Sequence, residues 1–143
     1  MERRDFIKFS AAGAVAGLAL SHTAPAAAGQ VPTPPGDLYY TKDAQGRWAG
    51  KAATHLPVIE ANKEGGKTTV KVTTPHEMKG YEHYIVKHVL LDKDYKFLAE
   101  HMFDPAKEPV PVSTFTLDGY SGTLYALSFC NKHDLWVSSA EIA

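Results

Sequence analysis

A cysteine and a histidine stand close together near the C-terminus, at Cys130 and His133, and Cys130 is the only cysteine among 143 residues. A thiolate and an imidazole at this spacing, where strand-like sequence gives way to a turn, can point at one metal ion. Sulfur and nitrogen donors of this kind suit iron, zinc or copper far better than calcium or magnesium. The segment therefore predicts part of a transition-metal site, with the remaining ligands supplied from elsewhere in the chain.

Six other histidines occur in the chain, at His22, His55, His76, His83, His88 and His101. His22 lies in the segment that is read below as an export signal and is set aside as a ligand. Turn residues separate His76 from His83, so that a loop carrying His76 can fold back until both imidazoles meet. His88 and His101 lie inside strand-like sequence beside charged residues, and this context predicts ordinary surface or half-buried side chains.

From His55 onward the sequence alternates short strand-like runs with turn signals. The predicted strands span residues 55–60, 68–74, 81–91, 95–102, 112–117, 121–130 and 135–139. No long stretch has the period of a helix, and neither an internal repeat nor a second domain is apparent. About seven short strands at this spacing predict an all-β fold, an immunoglobulin-like antiparallel β-sandwich, with a small barrel as the alternative.

The N-terminal segment has the features of an export signal. Arg3-Arg4 precedes a short apolar run at Ala11–Leu20, which is too short to span a bilayer, and small residues end it at Ala26-Ala27-Ala28. The paired arginines resemble a twin-arginine signal, which predicts a periplasmic or extracytoplasmic protein. An amphipathic surface helix is the alternative, although the run lacks a polar face. The predicted division is a signal at 1–28, a proline-rich linker at 29–37 and one domain at 38–143.

The charge of the chain limits its partners. The formal net charge is −1 at pH 7, from 15 basic and 16 acidic residues. This near-balance argues against nucleic acid or an anionic membrane surface as the main partner, so the predicted contact with a membrane is through the export signal alone. A lone thiol in an exported protein cannot form an internal disulfide, which makes a special use of Cys130 more plausible.

Four segments in sequence order resemble the superoxide reductases, the neelaredoxin and desulfoferrodoxin family. They are His55-Leu56-Pro57-Val58-Ile59, Pro75-His76, Glu82-His83-Tyr84-Ile85, and Ser128-Phe129-Cys130-Asn131-Lys132-His133-Asp134-Leu135-Trp136. Together they cover nearly all of the chain beyond the linker, and the last segment is the most specific of the four. A single cysteine leaves no place for the four-cysteine iron site that some members carry, so the chain is similar to the single-iron type.

The resemblance implies an immunoglobulin-like sandwich that holds one mononuclear iron. The ligands that it implies are His55, His76, His83, Cys130 and His133. Four imidazoles would lie in a plane, with the cysteine sulfur on one axial side and an open position opposite. Such a centre reduces superoxide to hydrogen peroxide, and a rubredoxin-like or other small redox protein would return the electron to the iron.

The chain departs from the family pattern at three positions. Members typically carry Glu-Lys before the first histidine ligand, where this chain has Ala53 and Thr54, which supply no charge. Lys51 and Lys79 are candidates to attract superoxide instead, although both have the features of solvated surface lysines. Asp134 stands where glycine is common, so that turn is either built differently or holds an aspartate in the left-handed conformation.

Two other functions stay open. The first is a binding module in which the same iron site transfers electrons or senses a small ligand, and the missing Glu-Lys pair favours it. The second is a sandwich without metal, in which Cys130 is a buried apolar residue and the histidines are incidental. A homo-oligomer is compatible with the sequence, which identifies neither the electron donor nor the number of subunits.

Overall fold

A computed structural model describes residues 24–143. Seven strands of six to nine residues follow two strands of two residues each. In chain order they are β1 (Ala24–Pro25), β2 (Ala27–Ala28), β3 (Val58–Glu64), β4 (Lys67–Thr73), β5 (Ile85–Leu91), β6 (Phe97–Met102), β7 (Val112–Asp118), β8 (Gly122–Cys130) and β9 (Asp134–Ile142). Before β3 stand a 3-10 turn at Gly46–Trp48 and a one-turn helix, α1, at Ala52–His55.

The strands form two antiparallel sheets, ordered β1-β3-β4-β7 and β2-β9-β8-β5-β6. Alternate residues of β4, such as Val70 and Val72, are fully buried, as period-two patterning requires. They pack against Leu90 of β5 and Leu124 of β8, which belong to the opposite sheet. This core between two sheets confirms the predicted all-β sandwich of about seven main strands and excludes the barrel for the described residues.

The predicted strand at 55–60 was wrong at its start, because His55 ends α1 and the strand begins at Val58. The amide of Leu56 donates to the carbonyl of Ala52 and closes the helical turn. Pro57 has no N–H to give to a sheet ladder, so pairing can begin only beyond it. His55 therefore sits at a sharp bend at the end of the sandwich.

The paired arginines and the apolar run of the predicted signal lie outside the described residues. Residues 24–28, at the end of that predicted signal, pair with both sheets through β1 and β2. The linker is also held, since Gly29 donates its amide to Ser139 and the Tyr39 hydroxyl donates to the carbonyl of Pro32 at 2.7 Å. The predicted boundary between the signal and the linker, after Ala28, falls inside this hydrogen-bonded stretch. No helix in residues 24–143 has the length and apolar character needed to cross a bilayer.

Candidate metal centre

Five side chains from distant parts of the chain meet at one end of the sandwich. They are His55 at the end of α1, His76 after β4, His83 before β5, Cys130 at the end of β8, and His133 in the turn between β8 and β9. One nitrogen or sulfur atom from each lies within 4.8 Å of all the others. The structure thus brings together every residue that the resemblance implied as a ligand.

The four imidazoles form a cycle in which each ring lies next to two others. The Nδ1 atom of His133 lies 3.1 Å from Nε2 of His55 and 3.2 Å from Nε2 of His83. Nε2 of His83 lies in turn 3.1 Å from Nε2 of His76. The rings of His76 and His55 are also neighbours, with their centroids 4.8 Å apart, and this contact closes the cycle.

The sulfur lies against the same group of nitrogens. Sγ of Cys130 is 3.4 Å from Nε2 of His83, 3.5 Å from Nδ1 of His133 and 3.8 Å from Nε2 of His76. Two imidazole nitrogens bound at right angles to one ion, each at about 2.1 Å, would stand about 3.0 Å apart. The observed separations therefore fit a single transition-metal ion, and four imidazoles with one thiolate are a donor set suited to iron.

The protonation of the imidazoles also fits metal binding. Burial lowers the pKa of His55 to about 4, with the neighbouring His76 and His133 adding to the shift. Burial likewise lowers the pKa of His76, His83 and His133. At neutral pH all four rings are then uncharged and keep a nitrogen lone pair for a cation.

The cysteine behaves differently. Burial raises the pKa of the Cys130 thiol, although backbone hydrogen bonds from Lys132 and His133 oppose the shift. A cation at the centre would reverse this balance, because a metal ion deprotonates a coordinated thiol. Metal binding at neutral pH is therefore expected to release a proton from Cys130.

Contacts behind His55 fix which of its nitrogens faces the centre. Its Nδ1 lies 3.0 Å from the carbonyl oxygen of Lys51 and 2.9 Å from Oγ1 of Thr54. Because a carbonyl only accepts, Nδ1 carries the proton and Nε2 is left as the donor atom. The fully buried Trp136 packs on the same ring, with centroids 5.6 Å apart, and holds it in place.

Asn131 links the loop that carries the sulfur to the segment that carries His83. Its side-chain oxygen accepts the amide of Tyr84 at 2.9 Å, and its side-chain nitrogen donates to the carbonyl of Glu82 at 2.9 Å. Asn131 belongs to the motif around Cys130, but the sequence alone did not predict this bridging role. An asparagine directly after a ligand cysteine could have indicated this role, because its side-chain amide can bridge two backbone segments.

The turn after His133 is built around Asp134, which adopts the left-handed conformation with φ of 65°. This confirms the second of the two alternatives for that turn. Its carboxylate accepts hydrogen bonds from the indole of Trp48 at 2.9 Å and from the guanidinium of Arg47 at 2.5 Å. These bonds, led by that from Trp48, lower the pKa of Asp134.

His88 is not the surface or half-buried residue that the sequence predicted, because it is fully buried between the two sheets. Its Nε2 lies 2.8 Å from Oγ1 of Thr74, and its Nδ1 lies 2.7 Å from Oγ of Ser113. Thr74 contacts Ser128 in turn, at 2.7 Å. Charged neighbours misled the prediction, since in a strand they point to the opposite face. His101 is half-exposed, as predicted, and pairs with Glu108.

Three lysines place positive charge near the centre. After burial, the charge of Lys51 contributes to the lowered pKa of His55, His83 and His133. The charge of Lys79 contributes to the lowered pKa of His83, and its ammonium lies 3.5 Å from Glu77. Lys132, which was not predicted from the sequence, contributes to the lowered pKa of His83 and His133.

The Desulfoferrodoxin family model matches residues 47–139, a span that contains all five donors. The chain belongs to the desulfoferrodoxin family. Among its relatives, a superoxide reductase of Pyrococcus abyssi is 34% identical over 109 residues, covering 68% of this chain and 92% of that protein. A superoxide reductase of Thermococcus kodakarensis is 36% identical over 103 residues, covering 64% of this chain and 87% of that protein.

Solved structures from the desulfoferrodoxin family share the fold. The superoxide reductase (neelaredoxin) from Ignicoccus hospitalis is 35% identical, with a TM-score of 0.62, over 77% of this chain and 98% of that one. A putative superoxide reductase from Thermotoga maritima is 27% identical, with a TM-score of 0.60, over 75% and 94% of the two chains. The family resemblance seen in four short motifs therefore extends through nearly the whole sandwich.

Proposed function

We propose that the protein is a superoxide reductase that reduces superoxide to hydrogen peroxide at one iron ion. The observation that carries the proposal is the meeting of four neutral imidazoles and one thiol within 4.8 Å, in a chain of the desulfoferrodoxin family. His55, His76, His83, Cys130 and His133 would hold the iron. When bound, the iron would supply one-electron chemistry, namely the reduction of superoxide by one electron with uptake of two protons to give hydrogen peroxide.

The side chains set the charge of the centre. Four neutral rings and one thiolate cancel only one of the two charges of a ferrous ion, so the centre keeps a net positive charge that attracts an anion. The Cys130 thiolate would donate electron density to the iron, as thiolate ligands do in haem enzymes. His55 keeps its orientation through the carbonyl of Lys51, so its donor nitrogen does not rotate away.

We assign the attraction of superoxide to Lys51 ahead of Lys79. The charge of Lys51 is among the leading contributions to the lowered pKa of His55, His83 and His133, whereas that of Lys79 is so at His83, where its effect exceeds that of Lys51. No salt bridge found among residues 24–143 involves Lys51, while Lys79 pairs with Glu77. Lys51 also lies only a few residues before His55, in the same bend that contains Ala53 and Thr54. Its charge therefore compensates in part for the lysine that the family usually places there.

The direct test mixes pre-reduced, iron-loaded protein with superoxide and follows both oxidation of the iron and release of products. Superoxide reduction predicts one hydrogen peroxide for each iron oxidised and no dioxygen, which a dismutase would release. Iron-loaded Cys130→Ser protein is the matched control, because it keeps four imidazoles and lacks the thiolate. An iron that stays ferrous in excess superoxide contradicts the proposal.

The missing Glu-Lys pair supports one alternative, a non-catalytic iron site for electron transfer or for binding a small ligand. Ala53 and Thr54 provide neither an acidic cap for ferric iron nor a lysine beside the open position. This alternative predicts that the ferrous protein is inert toward superoxide but binds cyanide or nitric oxide. The same mixing experiment separates the two functions.

We also propose that the protein is exported in folded form by the twin-arginine route and acts outside the cytoplasm. The support is the Arg3-Arg4 pair and the short apolar run that follows it. Folding before export would allow iron to bind before copper, which such donors prefer, can compete. Replacing Arg3 and Arg4 with lysine in the native host should leave the protein in the cytoplasmic fraction, and unchanged export contradicts this route.

A further inference from the structure

Both tryptophans of the chain lie against imidazoles of the centre, but they differ in exposure. Trp136 packs on His55 and is fully buried. Trp48 packs on His133 with ring centroids 4.7 Å apart and planes at 88°, and it is half-buried. Trp48 therefore connects a ring of the centre to the protein surface, whereas Trp136 does not.

The position of Trp48 is fixed from three sides. Its indole N–H donates to the carboxylate of Asp134 at 2.9 Å, and the guanidinium of Arg47 lies 4.6 Å above the ring. Arg47 binds the same carboxylate at 2.5 Å. The ring thus meets His133 edge to face, which is a favoured aromatic geometry, and the surrounding bonds prevent it from turning away.

Asp134 holds this arrangement at a conformational cost. Its φ of 65° lies in the left-handed region, where most residues other than glycine are disfavoured. Glycine would adopt this backbone conformation without strain but would give Trp48 no carboxylate. A residue in a disfavoured conformation beside a candidate functional centre points to a task for its side chain, and here the carboxylate holds both Trp48 and Arg47.

We propose that Trp48, positioned by Asp134, is the contact through which a one-electron carrier protein reduces the iron. A reduced carrier that docks on the exposed side of the indole gives up one electron, which passes through the rings of Trp48 and His133 and converts ferric to ferrous iron. No atom is transferred, and the carrier leaves oxidised by one electron. A π-system in van der Waals contact couples two redox centres better than a gap filled with water. Asp134 is a positioning residue in this scheme.

The inference rests on the proposed iron site but not on superoxide as the substrate. It is tested by mixing the ferric protein with reduced rubredoxin, a small carrier protein, and separately with ascorbate, which needs no docking surface. In each case the rate of iron reduction is followed by its absorbance. Failure of the ferrous protein to react with superoxide would contradict the proposed function and leave this measurement intact.

The variants are Trp48→Leu, Asp134→Gly and the control Tyr81→Leu. Tyr81 is an exposed aromatic residue whose hydroxyl donates to Asp104, and its recorded ring contact is with Tyr84 rather than with an imidazole. Trp48→Leu should slow reduction by rubredoxin about tenfold more than reduction by ascorbate. Asp134→Gly keeps the backbone conformation and frees the indole. It should therefore also slow reduction by rubredoxin more than reduction by ascorbate, but by a smaller factor than Trp48→Leu. Tyr81→Leu should match the parent protein with both reductants.

Two further outcomes complete the test. Trp48→Phe keeps an aromatic ring without the N–H, so it should restore most of the rubredoxin rate that leucine loses. If Trp48→Leu slows both reductants equally, or changes neither, the tryptophan only packs against His133 and the proposal is overturned. Equal rates for the phenylalanine and leucine variants would overturn it as well.

Discussion

Nε2 of His55 lies 3.1 Å from Nδ1 of His133, although 78 residues separate the two in the chain. Since Nδ1 of His55 carries that ring's proton, its Nε2 presents a lone pair toward the other imidazole. Four uncharged rings with converging nitrogens, two of them buried and two half-buried, form an arrangement that a cation stabilises. The end of the sandwich is therefore organised for metal, and its stability depends on the ion.

Removal of iron should lower the stability of the folded protein. Iron that binds the folded chain and not the unfolded one stabilises it by about 2.7 kcal/mol at a free concentration of 100 times the dissociation constant. Dialysis against a chelator should therefore lower the melting temperature, and added ferrous iron under anaerobic conditions should restore it. The control is His101→Asn, which should show the same dependence because His101 pairs with Glu108 away from the centre. Identical melting of the metal-free and loaded forms would contradict the metal site.

Cys130→Ser should weaken iron binding and change its spectrum. Serine is nearly isosteric but stays protonated, so the centre loses its only anionic ligand. We expect loss of the sulfur-to-iron absorption band, iron release to a chelator faster by about tenfold or more, and a comparable fall in superoxide reduction. Because metal binding no longer deprotonates a thiol, the variant should also release less acid on loading in unbuffered solution. An unchanged absorption spectrum would exclude Cys130 as a ligand.

Patterns along single strands were sufficient to predict the sandwich. The alternation of Val70 and Val72 with polar residues predicted β4 and its buried face, and turn residues marked most strand ends. The short strands β1 and β2 were not predicted, because their alanines have little strand propensity and pair through backbone bonds to β3 and β9. The alternation of apolar and polar residues does not predict short edge strands of this kind, which are held by backbone hydrogen bonds.

The complete ligand set was available from the sequence only through the family resemblance, since spacing and turn residues alone suggested two separate pairs, Cys130 with His133 and His76 with His83. The contacts that orient the ligands depend on residues far apart in the chain. Asp134 meets Trp48 across 86 positions, and Asn131 meets Glu82 across 49. His88 shows the same limit, because its burial is possible only with Thr74 and Ser113 as hydrogen-bonding partners from the opposite sheet. No local pattern encodes partners of this kind.

His88 should make the stability of the protein depend on pH. Burial lowers its pKa from 6.5 to about 3, so the folded state holds the neutral ring while the unfolded state protonates it more readily. The stability from this residue is complete above pH 6.5 and is lost as the pH falls toward 3. Between pH 7 and pH 5 the parent protein should lose about 2 kcal/mol more unfolding free energy than His88→Gln, measured in urea.

The matched control for this measurement is Leu90→Ala, which disturbs the buried face of the same strand without removing a titratable group and should keep the pH dependence of the parent. Both comparisons use iron-free protein, in which the imidazoles of the centre titrate equally and cancel. Because glutamine also disturbs the core, the decisive quantity is the change with pH and not the stability at one pH. Parallel curves for the parent and His88→Gln would contradict the buried neutral ring.

Lys51→Met should slow the encounter of the reduced protein with superoxide. Its positive charge acts on three imidazoles of the centre, and removing it weakens the attraction of an anion without removing a ligand. The second-order rate should fall by about threefold to tenfold, and its dependence on ionic strength should weaken. Stopped-flow oxidation of the ferrous protein at low and high salt measures both effects.

The matched control for Lys51→Met is Lys93→Met, which removes the same charge from the turn between β5 and β6, where Lys93 pairs with Asp94 at the opposite end of β5 from the centre. Lys79→Met should have a smaller effect than Lys51→Met, because Glu77 already offsets its charge. The carbonyl of residue 51 remains in every variant, so His55 keeps its orienting hydrogen bond and the comparison isolates charge. Equal rates for Lys51→Met and Lys93→Met would show that Lys51 does not attract superoxide. Lys132, whose charge influences His83 and His133, would then be the next candidate.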